Sequence, residues 1–544
     1  MSSSIKPTEI TYDRLVLKRQ RLTLIAMCLA LGMAALDDTV VNVALPSLQT
    51  SLSMSVSGLQ WILNAYLLSI ACLVLPAGSL GDVYGRRKVF LAGLSSFVMA
   101  SMLVGIATSG QMAIVGRLLQ GVGAAALLPS SLAILSDAYP NPKERTKAIG
   151  IWSGVAGLAL IVGPALGGVL VDTLGWRSIF YLNIPLGVLT YWLTLQSVPL
   201  TSMIRSYRRS SSGAGLPQQL DLPGMLLSVV TLASFIVLLM GFDGVTVRSL
   251  LLLFLSVGSA IAFIIIESAS ARPILPLKLF CNKSFSAAFA TNALLMFMLV
   301  SLLFMFSLFL QQVQGYSATA AGLRFLPLIA AFILASILSG YASAVLGWRW
   351  SITAGFMIAG VAVLSLVSIQ ADTSYSTLLF RLILVGFGVG FTLSPLTAAG
   401  MSLSAKFSGI AAALMNTSTR LGGALGIAIQ GGVLTARTGA NLDTSLQGFD
   451  LDSSARQTIV AEAISHGATR PAVLMEQLPN TDALTLQQVE QLIYQAFVSG
   501  LRSSLWVGAI ALFIGAVISA FCIGTESIST ETVSTKTESK HIST

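Results

Sequence analysis

The sequence predicts an all-α integral membrane protein of about fourteen transmembrane helices, arranged as two six-helix bundles plus two inserted helices. Three observations predict it. The first is composition: the 544 residues are 55% hydrophobic and only 10% charged, with a mean hydropathy of +0.83. No water-soluble domain stays dispersed with so apolar a surface to hide. The second is segmentation. A helix needs about 20 apolar residues to cross a hydrocarbon core, and such runs occur at 22–46, 58–80, 88–108, 111–136, 147–171, 177–197, 222–241, 248–267, 285–310, 320–345, 351–370, 376–398, 407–435 and 502–524. The short alternating segments of a membrane β-barrel are absent. The third is an internal repeat. Gly78, Gly85 and Arg87 recur at the same spacing as Gly340, Gly347 and Arg349, with Ala344 in place of Asp82. Gly163-Pro164-Ala165-Leu166-Gly167 is echoed by Gly422-Gly423-Ala424-Leu425-Gly426. The two echoes share an offset of about 260 residues, which makes spans 1–6 and 9–14 the two halves and spans 7–8 an insert.

The first span follows a cytoplasmic tail, residues 1–21, that carries Lys6, Arg14, Lys18, Arg19 and Arg21. Cationic triplets then recur in alternate loops: Arg86/Arg87/Lys88, Lys143/Arg145/Lys147, Arg205/Arg208/Arg209 and Arg272/Lys278/Lys283. The intervening short loops hold almost none, Arg177 and Arg248 excepted. The net charge of +9 is therefore a topology signal that places both termini in the cytoplasm, not a nucleic-acid footprint. The N-terminal bundle is expected at 22–198, a basic Ser/Gly-containing cytoplasmic linker at 199–221, and the inserted pair with its following loop at 222–284. The C-terminal bundle follows at 285–524, interrupted by a long outer segment, 436–500. There Thr485-x-x-Gln488 resembles a capping box. The Ser/Thr-rich tail 525–544 has the composition of a disordered segment. The first apolar run is too long for a cleavable signal peptide and lacks a small-residue cleavage site.

Cys28, Cys72, Cys281 and Cys522 are scattered without paired spacing, so they read as small apolar fillers. His466 and His541 lie outside the spans. No metal site and no cofactor are expected, and no span holds a hydrolytic or zinc constellation, which disfavours a membrane-embedded enzyme.

Charges inside the spans are where chemistry is expected. A carboxylate at a helix centre costs about 2.5–3.5 kcal/mol on insertion scales, and the first span holds two, Asp37 and Asp38. Asp37 lies nine residues before Pro46, roughly 13 Å below the outer end. Arg117, in the oppositely directed fourth span, lies about six residues in, roughly 9 Å from the same face. The similar depth permits coupling between them. Burial favours the protonated acid and a nearby guanidinium the ionised one, so a carboxyl group held between these influences can exchange a proton; a purely structural ion pair is the alternative. Asp38 points about 100° away around the helix, as a helper or a bystander. Gln120, one turn beyond Arg117, is too polar for a packing role. Asn42, Trp61, Asn64, Tyr66 and Asn416 are candidate cavity-lining residues. Gly78, Asp82, Gly85, Arg86 and Arg87 form a tight turn between spans 2 and 3 that is suited to a conformational latch. Gly163, Pro164, Gly167 and Gly168 suit either a hinge or a close-packed seam.

Taken together, these strings resemble the Major Facilitator Superfamily, specifically its fourteen-span drug:proton antiporters. The matching strings are Gly78 to Arg87, Leu36-Asp37-Asp38-Thr39-Val40-Val41-Asn42-Val43-Ala44-Leu45-Pro46, Arg117 to Gly123 and Gly163 to Gly168. Gly175-Trp176-Arg177, Asn183-Ile184-Pro185 and Gln311 to Pro327 also fit. The resemblance implies alternating access, export of amphipathic compounds across a bacterial cytoplasmic membrane driven by inward proton flow, and coupling through Asp37 and Arg117. Relatives that export divalent cations carry acids in spans 10 and 13; this chain has none there and has Arg420 in span 13, which disfavours dicationic substrates. The expected partners are small amphipathic substrates, protons and the lipid bilayer, with no nucleic acid, and the chain is expected to act as a monomer. The rival readings are an exporter dedicated to one metabolite or siderophore and a nontransporting sensor built around the 436–500 loop.

Overall fold

A computed structural model describes residues 7–199, 221–240, 246–270, 275, 277–401, 408–449, 453–468 and 483–524. Nearly all of the predicted linker and the whole of the tail 525–544 lie outside the described residues. The helices in chain order are α1 (Pro7–Leu52), α2 (Val56–Tyr84), α3 (Arg86–Gly105), α4 (Gly110–Ala138), α5 (Pro142–Leu174), the single turn α6 (Ser178–Tyr181), α7 (Asn183–Ser197), α8 (Leu222–Met240), α9 (Val247–Ala269), α10 (Lys283–Leu308), α11 (Ala318–Leu366), α12 (Tyr375–Met401), α13 (Ser408–Leu446), α14 (Ser453–His466) and α15 (Ala483–Cys522). Among the described residues there is no strand.

Short polar turns start these helices. Ser55, Ser109, Asn141, Asn282 and Ser317 each cap a helix by accepting a backbone N–H with the side chain, and Thr246 forms a capping box with Ser249. Proline does not end them. Pro46, Pro76, Pro129, Pro164, Pro327 and Pro395 all lie within helices, as membrane helices tolerate when neighbours and side-chain hydroxyls compensate the lost bond.

Among the described residues eleven helices are long and apolar enough to cross a membrane. One of these, α11, is two spans fused at Gly347, whose φ of 75° breaks the helical path. With the shorter apolar α8 and with α13, which carries the run at 407–435, the predicted number of about fourteen spans is reached. One boundary needs correction. Helix α15 already runs from Ala483, so Thr485 and Gln488 lie inside it and do not cap it; both residues are compatible with helix interior once the chain has started earlier.

The repeat read from the sequence is visible in the packing. Gly85 and Gly347 both adopt positive φ, 98° and 75°, at equivalent turns. Arg87 NH1 donates to Val198 O (2.5 Å) just past the end of α7, and Arg349 NH2 donates to Phe521 O (3.2 Å) near the end of α15. Gly167 of α5 lies against Val40 of α1, and Gly426 of α13 lies against Phe297 of α10. Two seams join the halves, α5 on α11 and α2 on α13. Because α2 corresponds to the first part of α11 and α5 to α13, each seam is the symmetric copy of the other. Helices α8 and α9 pack on each other and touch the rest through α8, against α2 and α13.

The α5–α11 seam is closed at one end only. At the end away from the N-terminus, a Cβ on Gly168 would lie 2.5 Å from Ala318 O, and one on Gly322 would collide with Pro164 O. There only glycine permits the approach of α5 and α11. Asp172 of α5 accepts the N–H groups of Ala318 and Thr319 (3.2 and 2.8 Å), capping α11 from the other bundle. Gly150, Gly154 and Gly157 lie on the same stripe of α5 as Pro164 and Gly168, by three- and four-residue steps, yet have open space in front of them; so does Gly340, on the stripe of Gly322. Along this seam the bundles therefore meet at the far end and part at the end that carries the N-terminus. Helix α14 lies over the closed end: Gln49 donates to His466 O (3.1 Å), and Gln312, which is bonded to Gln49 (2.7 Å), accepts from Ala468 N (3.3 Å).

Candidate functional site: two ion pairs on one helix turn

Burial without compensation is what a charged group in this chain cannot tolerate, and the structure resolves that problem in two different ways for Asp37 and Asp38. Asp37 is ion-paired with Arg117 of α4, their side chains 2% and 1% exposed. Gln120 donates to Asp37 Oδ1 (2.7 Å) and accepts from Arg117 NH1 (2.8 Å). Asn183, at the start of α7, adds a long bond to Oδ1 (3.4 Å), and Ser101 of α3 accepts from both amides (2.8 and 3.1 Å). Arg117 Nε donates to Ile62 O of α2 (3.1 Å), and the Tyr66 ring lies 4.2 Å from the guanidinium carbon. Five helices of the N-terminal half thus converge on one carboxylate. Every element of the cluster is internal to that half.

Asp38 faces the other way. Its Oδ2 meets Arg420 NH1 of α13 at 2.5 Å, across the divide between the halves, with the two side chains 21% and 15% exposed. The pair is incompletely satisfied: among the described residues Asp38 Oδ1 and Arg420 Nε have no hydrogen-bond partner, and neither has the nearby Asn42 Oδ1. Further contacts cross between the halves close by: Ser307 of α10 donates to Asn42 O (2.5 Å) and Gln311 to Val43 O (3.1 Å).

The other predicted residues fall in several places. Tyr66 is fully buried and donates to Ala34 O (3.3 Å), so it lies within the Asp37 cluster rather than on an open wall. Gln120 is likewise enclosed. Asn64 is buried, Trp61 half-buried and Asn416 exposed, one turn before Arg420. In the turn after α2, Arg86 holds Asp82 (3.1 Å) and also Asp137 at the end of α4 (2.9 Å), while Arg87 ties to α7. All these bonds stay within one half. Gly163, Pro164, Gly167 and Gly168 lie in an unbroken helix and form contact surfaces, Gly163 and Gly167 toward α1, Pro164 and Gly168 toward α11.

Sequence reasoning missed Asn183, Ser101, Asp137, Asp172 and the partner of Arg420. An amide or acid near a span end is a visible signal for Asn183, Asp137 and Asp172. Nothing distinguishes Ser101 from the many small residues of the spans. Arg420 was visible as a charge inside span 13, but its partner lies 382 positions away.

The model of the Major Facilitator Superfamily matches residues 27–427. The chain is 34% identical over 506 residues to the multidrug resistance protein Stp of Mycobacterium tuberculosis, covering 91% of each. It is 30% identical over 502 residues to the tetracenomycin C resistance and export protein of Streptomyces glaucescens, covering 91% of this chain and 90% of that one. In fold it is similar to the crystal structure of a bacterial homolog of the human lysosomal transporter Spinster, in an inward-facing conformation, with TM-score 0.65, 17% identity and coverage of 93% and 97%.

Proposed function

The chain belongs to the Major Facilitator Superfamily, and on that premise we propose that it is a proton-coupled efflux transporter that exports amphipathic drugs or toxic compounds by alternating access. The observation that carries this reading is the Asp37–Arg117–Gln120 cluster, an acid and a base sealed inside one bundle beside the α5–α11 seam that is closed at one end. A buried pair whose partner is removed is costly, about 3–5 kcal/mol. Protonation of Asp37 removes its charge and leaves Arg117 to seek other acceptors, which shifts the packing of α1 against α4. That gives a proton at Asp37 the leverage to bias a two-state seam.

In this reading the Lys and Arg distribution places both termini in the cytoplasm of a bacterium and the chain in its cytoplasmic membrane. The open end of the cleft then faces the cytoplasm. The ionised, fully partnered Asp37 suits the step after proton release, when substrate enters. The bundles rock, substrate leaves outward, Asp37 takes a proton from outside, and the return brings it in. The carrier acts as a monomer without a catalytic residue or cofactor.

The test is the purified protein in vesicles with an imposed pH gradient, loaded in turn with cationic, neutral and anionic fluorescent amphipaths. Gradient-dependent accumulation that disappears in Asp37→Asn, with insertion intact, is the expected result. Accumulation that ignores the gradient, or survives in that variant, overturns the coupling role.

A further inference from the structure

The Asp38–Arg420 pair is poorly used if its task is to hold the bundles together. An ionised carboxylate accepts about four hydrogen bonds and a guanidinium donates five. Here one bond joins them, and among the described residues Oδ1 of the acid and Nε of the base are left over. Asp37, the next residue, has its lone pairs taken up by three side chains. The contrast is in position as well as number. Asp38 and Arg420 come from opposite halves, retain partial exposure, and have Asn42 one turn after the acid and the exposed Asn416 one turn before the base. An unpartnered acceptor and an unpartnered donor, both buried, thus belong to one ion pair where the two halves meet.

We propose that Asp38 and Arg420 are the charged anchor of the substrate site and that they select an amphipath carrying both an acidic and a basic group. This rests on the cleft between the bundles being the transport route. Charge balance decides the class. A ligand with an acid alone engages Arg420 and leaves Asp38 a lone carboxylate in apolar surroundings; a ligand with a cation alone does the converse to Arg420. Either way one uncompensated charge remains, and such charges are strongly disfavoured. An acid placed on Arg420 together with an amine placed on Asp38 leaves the site neutral with the ligand and without it. Asp38 then needs no proton when substrate binds, which leaves proton exchange to Asp37 with Arg117, Gln120 and Tyr66 around it.

The test uses the purified full-length protein and two dyes that differ in one group: the N-unsubstituted rhodamine free acid, which has both signs, and its methyl ester, which has only the cation. Binding is read by fluorescence anisotropy without a pH gradient. Wild type is expected to bind the free acid more tightly by about tenfold to a hundredfold, the range of a hydrogen bond to a charged group. In Arg420→Gln the preference is expected to collapse toward unity, and in Arg420→Lys to survive in part. Asp38→Asn should weaken both dyes, since both present the cation. Equal binding of the two dyes by wild type, or binding of neither, overturns the proposal. An Arg420→Gln protein that elutes as wild type does and loses both dyes equally assigns the pair to joining the bundles and overturns it too. Because no gradient is present, a dye preference without gradient-driven accumulation would count against proton coupling and leave this anchor standing.

Discussion

Two aspartates occupy consecutive positions of α1 and meet two arginines, yet the pairs differ in kind. Asp37–Arg117 is internal to one bundle, sealed and shared among five helices. Asp38–Arg420 joins the bundles by one bond and keeps part of its surface open. A 100° step around the helix is enough to divide the labour. A charge wholly inside one bundle can keep its partners while the two bundles change their mutual position. A charge shared between bodies that rock must break and re-form in each cycle, and a saturated cage of partners would oppose that.

The comparison can be broken most severely at the sealed pair. Asp37→Asn is expected to reduce gradient-driven efflux to the level of empty vesicles, whereas Asp38→Asn keeps a gradient response; matching losses in both variants would erase the distinction. Next in size is Arg117→Ala, which strands Asp37 at a cost of about 3–5 kcal/mol and is read as a lower midpoint of thermal unfolding in detergent. Arg117→Lys keeps the charge and is expected to retain more stability and coupling, although it cannot reproduce the bonds to Gln120 and Ile62 at once.

Separation of the bundles sharpens the contrast. Gly322→Val overfills the approach to Pro164; overpacking costs about 1–3 kcal/mol, a shift of roughly 5- to 150-fold in a two-state equilibrium against the state closed at the far end. Labelling of a cysteine introduced at the far end of α5 should quicken accordingly. The Asp38–Arg420 contact should loosen while the Asp37 cluster stays intact. The smallest effect is expected at the turn after α2. Asp82→Ala removes one arm of an exposed ion pair, a contribution of about 0–1 kcal/mol. Initial rates of dye transport should fall a few-fold at most, because Asp137 still holds Arg86, with no change in the order of dye preference. Unchanged rates would leave the turn with no part in the cycle.

The 436–500 segment differs from the rest of the end away from the N-terminus. Read from sequence it is an appendage. In the structure, α14 lies against α13 and α2, and the chain at His466 and Ala468 joins Gln49 of one half to Gln312 beside α10 of the other. The contacts are backbone carbonyl and N–H bonds to two glutamines, which no pattern in residues 436–500 announces.

Much of this protein was legible in its amino-acid string because the bilayer imposes simple rules. Apolar runs of fixed length mark spans, and charges such as Asp37, Arg117 and Arg420 stand out against hydrocarbon. The repeat was legible too, since Gly85 and Gly347 answer the same backbone demand at equivalent turns. Partnership between distant residues came from the packing of the helices. Asp38 finds Arg420 at a distance of 382 positions, Asp172 caps α11 from the other bundle, and one stripe of α5 glycines is packed at one end and bare at the other. The physical reason is that periodicity and composition are properties of a helix alone, whereas a contact between bundles depends on how two groups of helices are set against each other.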